Sequence, residues 1–396
     1  MLLTVNAGSS SLKFALFSAP GRRRVPQRVL TGHISGIGSS AAIHLSDGSG
    51  TRINAASLET RLLSVRNVAD AAPLMIQAVA EAGFSDRRIN MTSHRLVHGG
   101  SDFVQPTIID VRVRERLGTL EELAPLHMPA GLAALDGVLR ALPKSRHVAC
   151  FDTAFHASIE PLATRLPLPK AWRDKGYRRY GFHGLNYEHI VASFTDATGT
   201  PLPKRLLVLH LGNGCSAAAI VEGRCVASTM GYSPLDGLIM GTRTGSLDPG
   251  VVLALAREPG MTLDRLEKLL WRESGLLGLS DGFSSDMREL LSSKKKGARE
   301  AVGSFCYAAA QHCGGLAMAM GGLDAVVFTA GIGENAAPVR TEIVRRLGWL
   351  GATIDEASNR SNATRLSPNG ASIAVWRIAA DEELVLARHG FAMADK

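Results

Sequence analysis

The pattern of this chain predicts a mixed α/β fold built from a duplicated unit, and three observations carry that reading. Two are matching strand-turn-strand segments about half a chain apart, TVNAGSSSLKFALF from Thr4 and VLHLGNGCSAAAIV from Val208. Each has an apolar run, a tight turn of Asn, Gly and Ser, and a second apolar run; small residues there let backbone N–H groups approach an anion. Either segment alone reads as a plain hairpin, because Gly and Ser are ordinary turn residues. Together they read as two copies of one phosphate-gripping device. The third observation is that β-rich apolar runs alternate with segments of helical period along the whole chain, as mixed α/β folds require.

The elements follow in order. Leu2–Asn6 and Phe14–Phe17 read as the first strands, and Val68–Gly83 as a helix with Val68, Ala72, Met75, Ile76 and Val79 on one stripe. Further strands are expected at Val148–Phe151, Leu206–Leu211, Ala217–Val221 and Ala325–Thr329. Helices are expected at Pro129–Leu142, Leu263–Trp271, Ala298–Met320 and Glu382–Arg388. No low-complexity linker separates the halves. The boundary is therefore placed near residue 150, giving domains 1–150 and 151–380, with a C-terminal helix, about 381–396, packing back on the first.

Composition bounds the class. A chain of 396 residues, 45% hydrophobic and 20% charged, has enough length for two large domains. Aromatics are 5% against 41 glycines, which suits close helix-on-sheet packing and backbone-lined loops. The net charge of +8 is spread along the chain except at Arg22-Arg23-Arg24 and Lys294-Lys295-Lys296, both read as solvated faces. No basic-aromatic interleaving or DNA-reading motif accompanies it, so attraction of small anions is expected and nucleic acid is not. Five cysteines without C-x-x-C spacing indicate neither a disulfide framework nor zinc. The N-terminus MLLTVNAGSS lacks a basic n-region and long h-region, and no apolar run reaches about 18 residues. A cytoplasmic protein without membrane contact is expected.

A third glycine segment, AVVFTAGIGENAAPVR from Ala325, reads as strand, Gly-rich turn, then helix, so that helix-terminal N–H groups face whatever occupies the turn. Gly212-Asn213-Gly214-Cys215-Ser216-Ala217 matches G-x-G-x-x-A, but a β-like run and a turn at Glu222-Gly223 follow where a dinucleotide fold needs a helix. A Walker A sequence is absent. The glycine segments point to an ATP-handling enzyme outside the P-loop and Rossmann classes.

NAGSSSLKF, HRLVHGG, FDTAFH, RRYGFHG, HLGNG, MGTRTG, FTAGIGEN and DEEL, in that order from Asn6 to Leu384, resemble the acetate and propionate kinase family. The resemblance implies an α/β fold of duplicated ribonuclease H-like (actin-like ATPase) domains with mixed sheets flanked by helices. It also implies ATP/ADP and substrate in an interdomain cleft, Mg²⁺ with Mn²⁺ as an alternative, a small carboxylic acid as substrate, and a homodimer. Acetate is the implied acid. Propionate and butyrate stay open, because one methylene changes discrimination by only about 1–3 kcal/mol.

The chemistry can be stated apart from the family. Passing the γ-phosphoryl group of ATP to a carboxylate brings two anions together, so the site must supply positive charge and in-line positioning. Arginine suits this, since its planar fork grips carboxylate or phosphate bidentately. Arg95, before His98-Gly99-Gly100, and Arg243, in Gly241-Thr242-Arg243, are the candidates, and both match family positions. A carboxylic acid is already ionised near neutrality, so no general base is needed. Asp152 matches the family's catalytic position and is expected to orient groups or hold water around the metal; its plain reading is a helix cap. His183 matches the family's transition-state histidine, whose N–H would donate to the moving phosphoryl group. Correspondence gives Asn6 and Glu382 to the metal; Glu382 also reads as first-turn helix charge.

For ATP, the resemblance points to Lys13 and the turn His210, Leu211, Gly212, Asn213 and Gly214 at the phosphates. Asp286, Met287 and Arg288 with Gly331, Ile332, Gly333, Glu334 and Asn335 would flank adenosine. Val97, Leu126, Phe182 and Pro234 would form the acyl pocket. The chain departs from the family pattern at Met128, where Asn is usual, at Leu185-Asn186-Tyr187 for Thr-Ser-His, at Ser246 for Asp, at Asp236 for Glu, and at Ala380 for Thr. Two alternatives share the phosphate turns. A sugar or polyol kinase would need a base for a hydroxyl, which Asp152 could supply. A nucleotide-switched binding protein would need large partner surfaces.

Overall fold

The computed structural model describes residues 1–8, 10–19, 25–63 and 65–394. The chain forms two units, Met1–Ala154 with the segment from Asp381, and Phe155–Ala380. Arg22-Arg23-Arg24 lies outside the described residues, whereas Lys294-Lys295-Lys296 is exposed.

In the first unit, strands β1 (Leu2–Ala7), β2 (Leu12–Ser18), β3 (Gln27–Ser35), β4 (Ala42–Asp47), β5 (Arg52–Ile53), β6 (Met91–Leu96), β7 (Thr107–Ile108) and β8 (Arg146–Phe151) form one sheet. Its order is β5-β4-β3-β2-β1-β6-β8-β7. The first predicted hairpin is β1–β2, with Asn6 opposite Lys13. β6 and β8 pair parallel to β1 on its other side. Helix Val68–Glu81 starts at Asn67, whose side chain and that of Asp70 form a capping box. Its buried face, Val68, Ala71, Ala72, Leu74, Met75, Ala78 and Val79, meets Leu3, Val5, Phe14 and Leu16 of the sheet; Ile76 is only half-buried. Helix Met128–Ala141 crosses it at Gly137, where a Cβ would stand 2.9 Å from that of Ala72.

Helix Glu382–Ala394 packs on β1 and β6. The approach depends on Gly390, because a Cβ there would stand 2.2 Å from Leu2 Cδ1. Burying the helix this way fixes its first residue, Glu382, at the carboxyl ends of the parallel strands.

In the second unit, β9 (Arg205–Leu211), β10 (Cys215–Val221), β11 (Arg224–Ser228), β12 (Ala325–Thr329) and β13 (Ala374–Arg377) form a sheet of order β11-β10-β9-β12-β13. β10 pairs antiparallel with both β9 and β11, whereas β12 pairs parallel with β9 and β13. The strands β3-β2-β1-β6-β8 repeat this order and these directions. That is the duplicated ribonuclease H-like, actin-like ATPase fold, with β4, β5 and β7 added at the edges of the first copy. Alternate residues of β9 face opposite ways: Leu206 and Val208 pack under Tyr187, Ile190 and Phe194 of helix Gly184–Thr198. The other helical layer is Lys296–Ala319, two residues longer at its start than the pattern indicated.

The third glycine segment differs from expectation. Ala330–Asn335 is itself a helical turn, followed without a strand by helix Ala337–Arg346. Glycines here do not open a loop; the chain turns at Ala330 instead, whose φ is +64°. The five cysteines are buried, and among the described residues no helix is long and apolar enough to cross a membrane.

Candidate active site

In the first unit, parallel register sets Asn6 level with Arg95, and Arg95 level with Cys150, so Asp152 emerges two residues further on beside Arg95. These are carboxyl ends of parallel strands, where open α/β sheets bind ligands. Arg95 Nε and Nη2 donate to the two oxygens of Asp152 at 2.9 and 2.6 Å, and Nη1 donates to Asn6 Oδ1 at 3.0 Å. Asn6 Nδ2 donates to Glu382 Oε2 at 3.0 Å, an oxygen 3.6 Å from Arg95 Nε. Asp152 is 1% exposed. It therefore orients Arg95 with both of its oxygens. Burial disfavours the charge on Arg95, but Asp152 and Glu382 outweigh it and hold the guanidinium above the ordinary arginine range. Burial, then the neighbouring Glu382, pushes the Glu383 carboxyl up.

This corner suits a hard divalent cation. Glu382 and the amide oxygen of Asn6 are oxygen donors, and Asp152 with Glu382 outnumbers the single charge of Arg95. Among the described residues no cluster of three or more His, Cys, Asp or Glu side chains forms a metal cage. A cation held by one or two protein oxygens, with phosphates and water completing the shell, is the pattern Mg²⁺-like ions prefer. Lys13 is exposed across the hairpin from Asn6. Val97 and Leu126 are half-buried, and Met128 is fully buried among Leu96, Leu132 and Phe151, so that departure is one of packing.

In the second unit, His183 begins helix Gly184–Thr198 in the left-handed conformation, φ +58°. Such a conformation is costly without glycine and marks functional positions when the surroundings enforce it. Here the enforcement is visible. The His183 ring stacks on His210 at 4.0 Å and 8°, and its Nδ1 lies 2.8 Å from Ser216 Oγ, which is 2.5 Å from Tyr187 Oη. Asn186 Nδ2 lies 2.8 Å from His210 Nδ1. Two of the departing residues thus brace the two histidines, and the sequence pattern gave no sign of it.

The phosphate-like turn Gly212-Asn213-Gly214 closes with Gly212 N–H donating to Gly214 O at 3.1 Å. A Cβ on Gly214 would meet His183 Nε2 at 3.3 Å and Arg243 Nη1 at 3.6 Å, so one glycine brings both predicted residues to the turn. Arg243 donates to the Pro234 carbonyl at 3.1 Å and lies over the Trp271 ring at 5.2 Å. Burial lowers its pKa from the ordinary arginine value. Pro234 and Phe182 are buried, the latter giving its carbonyl to His156.

Gly275 lies beneath Arg243 with φ +62°, and a Cβ there would stand 2.3 Å from Met240 O and 2.6 Å from Arg243 O. Gly275→Ala is expected to lose more than about 1 kcal/mol of stability and to lower kcat by displacing the Arg243 backbone. Thermal melts and turnover on the same preparation check this; a variant that matches the parent in both would detach Gly275 from the arginine's placement.

The remaining nucleotide candidates are spread out. Ala330 Cβ would lie 3.8 Å from a Cβ on Gly212, which ties the Gly331–Asn335 turn to the phosphate turn. Glu334 accepts from the Ala380 N–H, and Asn335 donates to the Gly331 carbonyl. The fully buried Arg340 donates to Gly333 O at 3.0 Å and to Asn359 and Asn362, a brace invisible in the sequence because arginines are rarely buried. Asp286 caps helix Met287–Ser292 and pairs with exposed Arg288 at 2.7 Å, whose hydrogen bonds pull the Asp286 carboxyl down to about 2. Met287 is core. Of the other departures, Ser246 donates to Asp236 at 2.8 Å, so those two replacements contact each other.

Known proteins are similar to this chain along its length. Residues 1–388 match the model of the acetokinase family. An acetate kinase of Rhodopseudomonas palustris is 42% identical over 400 residues, spanning 100% of this chain and 98% of its own. One from Methylocella silvestris is 41% identical, spanning 100% and 98%. A propionate kinase structure from Francisella tularensis superposes with TM-score 0.87 at 30% identity, covering 98% of each chain. Acetate kinase from Porphyromonas gingivalis does so with TM-score 0.86 at 30% identity, covering 99% of each. With its eight motifs in order and its sheet topology duplicated, the chain belongs to the acetokinase family.

Proposed function

We propose that this protein is an acetate kinase, reversibly transferring the γ-phosphoryl group of ATP to acetate to give acetyl phosphate and ADP. The observation that carries the reading is the meeting of His183 and Arg243 on Gly214, at a turn whose N–H groups suit phosphate. Arg243 supplies a fixed cation where two anions react, and His183 supplies a donor for a developing oxyanion. Arg95, oriented by Asp152, presents a second guanidinium for the carboxylate or the transferring group. The acid arrives ionised, so nothing need take a proton from it. Both oxygens of Asp152 serve Arg95, which argues against its use as the base of a sugar kinase.

Mg²⁺ is the metal we assign, held by Glu382 and Asn6, with Mn²⁺ as an alternative; when bound it neutralises phosphate charge and templates the displacement. Lys13 and the His210–Gly214 turn take the phosphates, and Asp286, Met287, Arg288 and the Gly331–Asn335 turn flank adenosine. Val97, Leu126, Phe182 and Pro234 enclose the acyl end. We further assign a cytoplasmic location and a homodimer, the latter suited by exposed apolar side chains such as Leu253 and Met318 on the second unit.

Hydroxylamine trapping tests the activity. With ATP and Mg²⁺, acetate is expected to give hydroxamate faster than propionate or butyrate, and chelation is expected to abolish the signal until Mg²⁺ returns. No hydroxamate from any of the three acids would overturn the assignment, and faster trapping from a longer acid would rename the substrate.

A further inference from the structure

Tyr187, Ser216 and His183 form a single hydrogen-bonded chain, and only one direction of its protons satisfies every member. Tyr187 is fully buried, and its hydroxyl meets Ser216 Oγ at 2.5 Å. The nearest other polar ring offers it nothing: His156 uses Nδ1 against Cys225 Sγ and Nε2 against the Phe182 carbonyl. Ser216, also fully buried, has one further side-chain partner among the described residues, His183 Nδ1 at 2.8 Å.

If His183 Nδ1 carried a proton and donated to Ser216, Ser216 would donate to Tyr187, and the phenolic proton would be buried without an acceptor. In the reverse direction Tyr187 donates to Ser216, Ser216 donates to Nδ1, and nothing is left over. Buried donors without acceptors are disfavoured. Burial also pushes the Tyr187 pKa well above its ordinary value, so the phenol keeps its proton.

We propose that Tyr187 and Ser216 are positioning residues that lock neutral His183 in the tautomer with hydrogen on Nε2. The consequence is spatial. Nε2 is the nitrogen against Gly214, so the lock presents an N–H donor to the phosphate turn and an acceptor to the protein interior. Under the kinase reading above, on which this last step rests, the donor is set before substrate arrives. Tyr187 is one of the positions where this chain departs from the family's pattern, so the device belongs to this chain's own residues.

Long-range ¹H–¹⁵N spectra of the full chain, labelled at histidine and without ligands, report the tautomer directly. His183 is expected to show a protonated Nε2 and an unprotonated Nδ1; the opposite assignment overturns the proposal. Tyr187→Phe, which frees the Ser216 hydroxyl to turn, and Ser216→Ala are expected to bring Nδ1–H into the population. Ser216→Thr, which keeps the hydroxyl, is expected to restore the parent spectrum. In the acetate assay Tyr187→Phe is expected to lower kcat about tenfold with the KM for ATP unchanged, as loss of a supporting hydrogen bond commonly does. Unchanged tautomer in both variants, with melting points intact, would reduce the chain to a packing contact. A locked tautomer in a protein that makes no acyl phosphate would leave this inference standing and remove the kinase reading instead.

Discussion

Replacing Arg243 by alanine is expected to lower kcat by about three orders of magnitude, the lower end of what an arginine contributes to phosphoryl transfer. Its surroundings explain why the loss should fall on turnover. The guanidinium lies over Trp271 at 5.2 Å and donates to the Pro234 carbonyl and to Met240 Sδ, so truncation removes a ring contact and hydrogen bonds to neutral acceptors. A cation–π contact is worth about 0.5–2 kcal/mol, small beside the catalytic effect. Burial lowers the Arg243 pKa from the ordinary arginine value. ATP binding, followed by calorimetry, is expected to survive, because the turn amides and the residues assigned to adenosine remain. Arg243→Lys is not expected to rescue, since an ammonium lacks the planar fork. A variant that unfolds, or that turns over within tenfold of the parent, would show a structural residue.

Asp152→Ala is expected to act on stability as well as turnover. Asp152 is 1% exposed and holds both ends of the Arg95 fork, so its removal leaves a largely buried guanidinium short of its main counter-charge. Breaking a buried pair from one side costs about 3–5 kcal/mol. Glu382, 3.6 Å from Arg95 Nε, compensates in part and places the expected value toward the lower end. Arg95→Met leaves the opposite charge stranded and is expected to cost as much. The double variant Arg95→Met/Asp152→Leu should be more stable than either single one, because two apolar side chains strand no charge. Urea midpoints for the three variants measure this; a double variant less stable than both singles would mean the pair is worth more than its desolvation. All three are expected to lose acyl phosphate formation.

The fold was legible where short-range chemistry dictates it. The two hairpins, the Val68 helix and the strand at Ala325–Thr329 follow from turn residues and periodicity. The glycines of Gly331–Asn335 signal a turn before the helix, whereas the segment is already helical and the change of direction sits at Ala330. Local patterns contain no term for the neighbours that hold an alanine at positive φ.

The site divides in the same way. The sequence by itself determined the duplicated architecture and the glycine turns, which depend on local patterns, and its resemblance to the family supplied the roster of charged candidates. Tertiary structure decided what those candidates do. Parallel register brings Asn6, Arg95 and Asp152 together, and a glycine-dependent helix contact delivers Glu382 from the far end of the chain. Tyr187 and Asn186 looked like losses from a motif, and became supports for His183 and His210 only when the helix lay on the sheet. A hydrogen bond between residues distant in sequence has no local signature: it exists because burial against the sheet leaves each polar atom one partner to find.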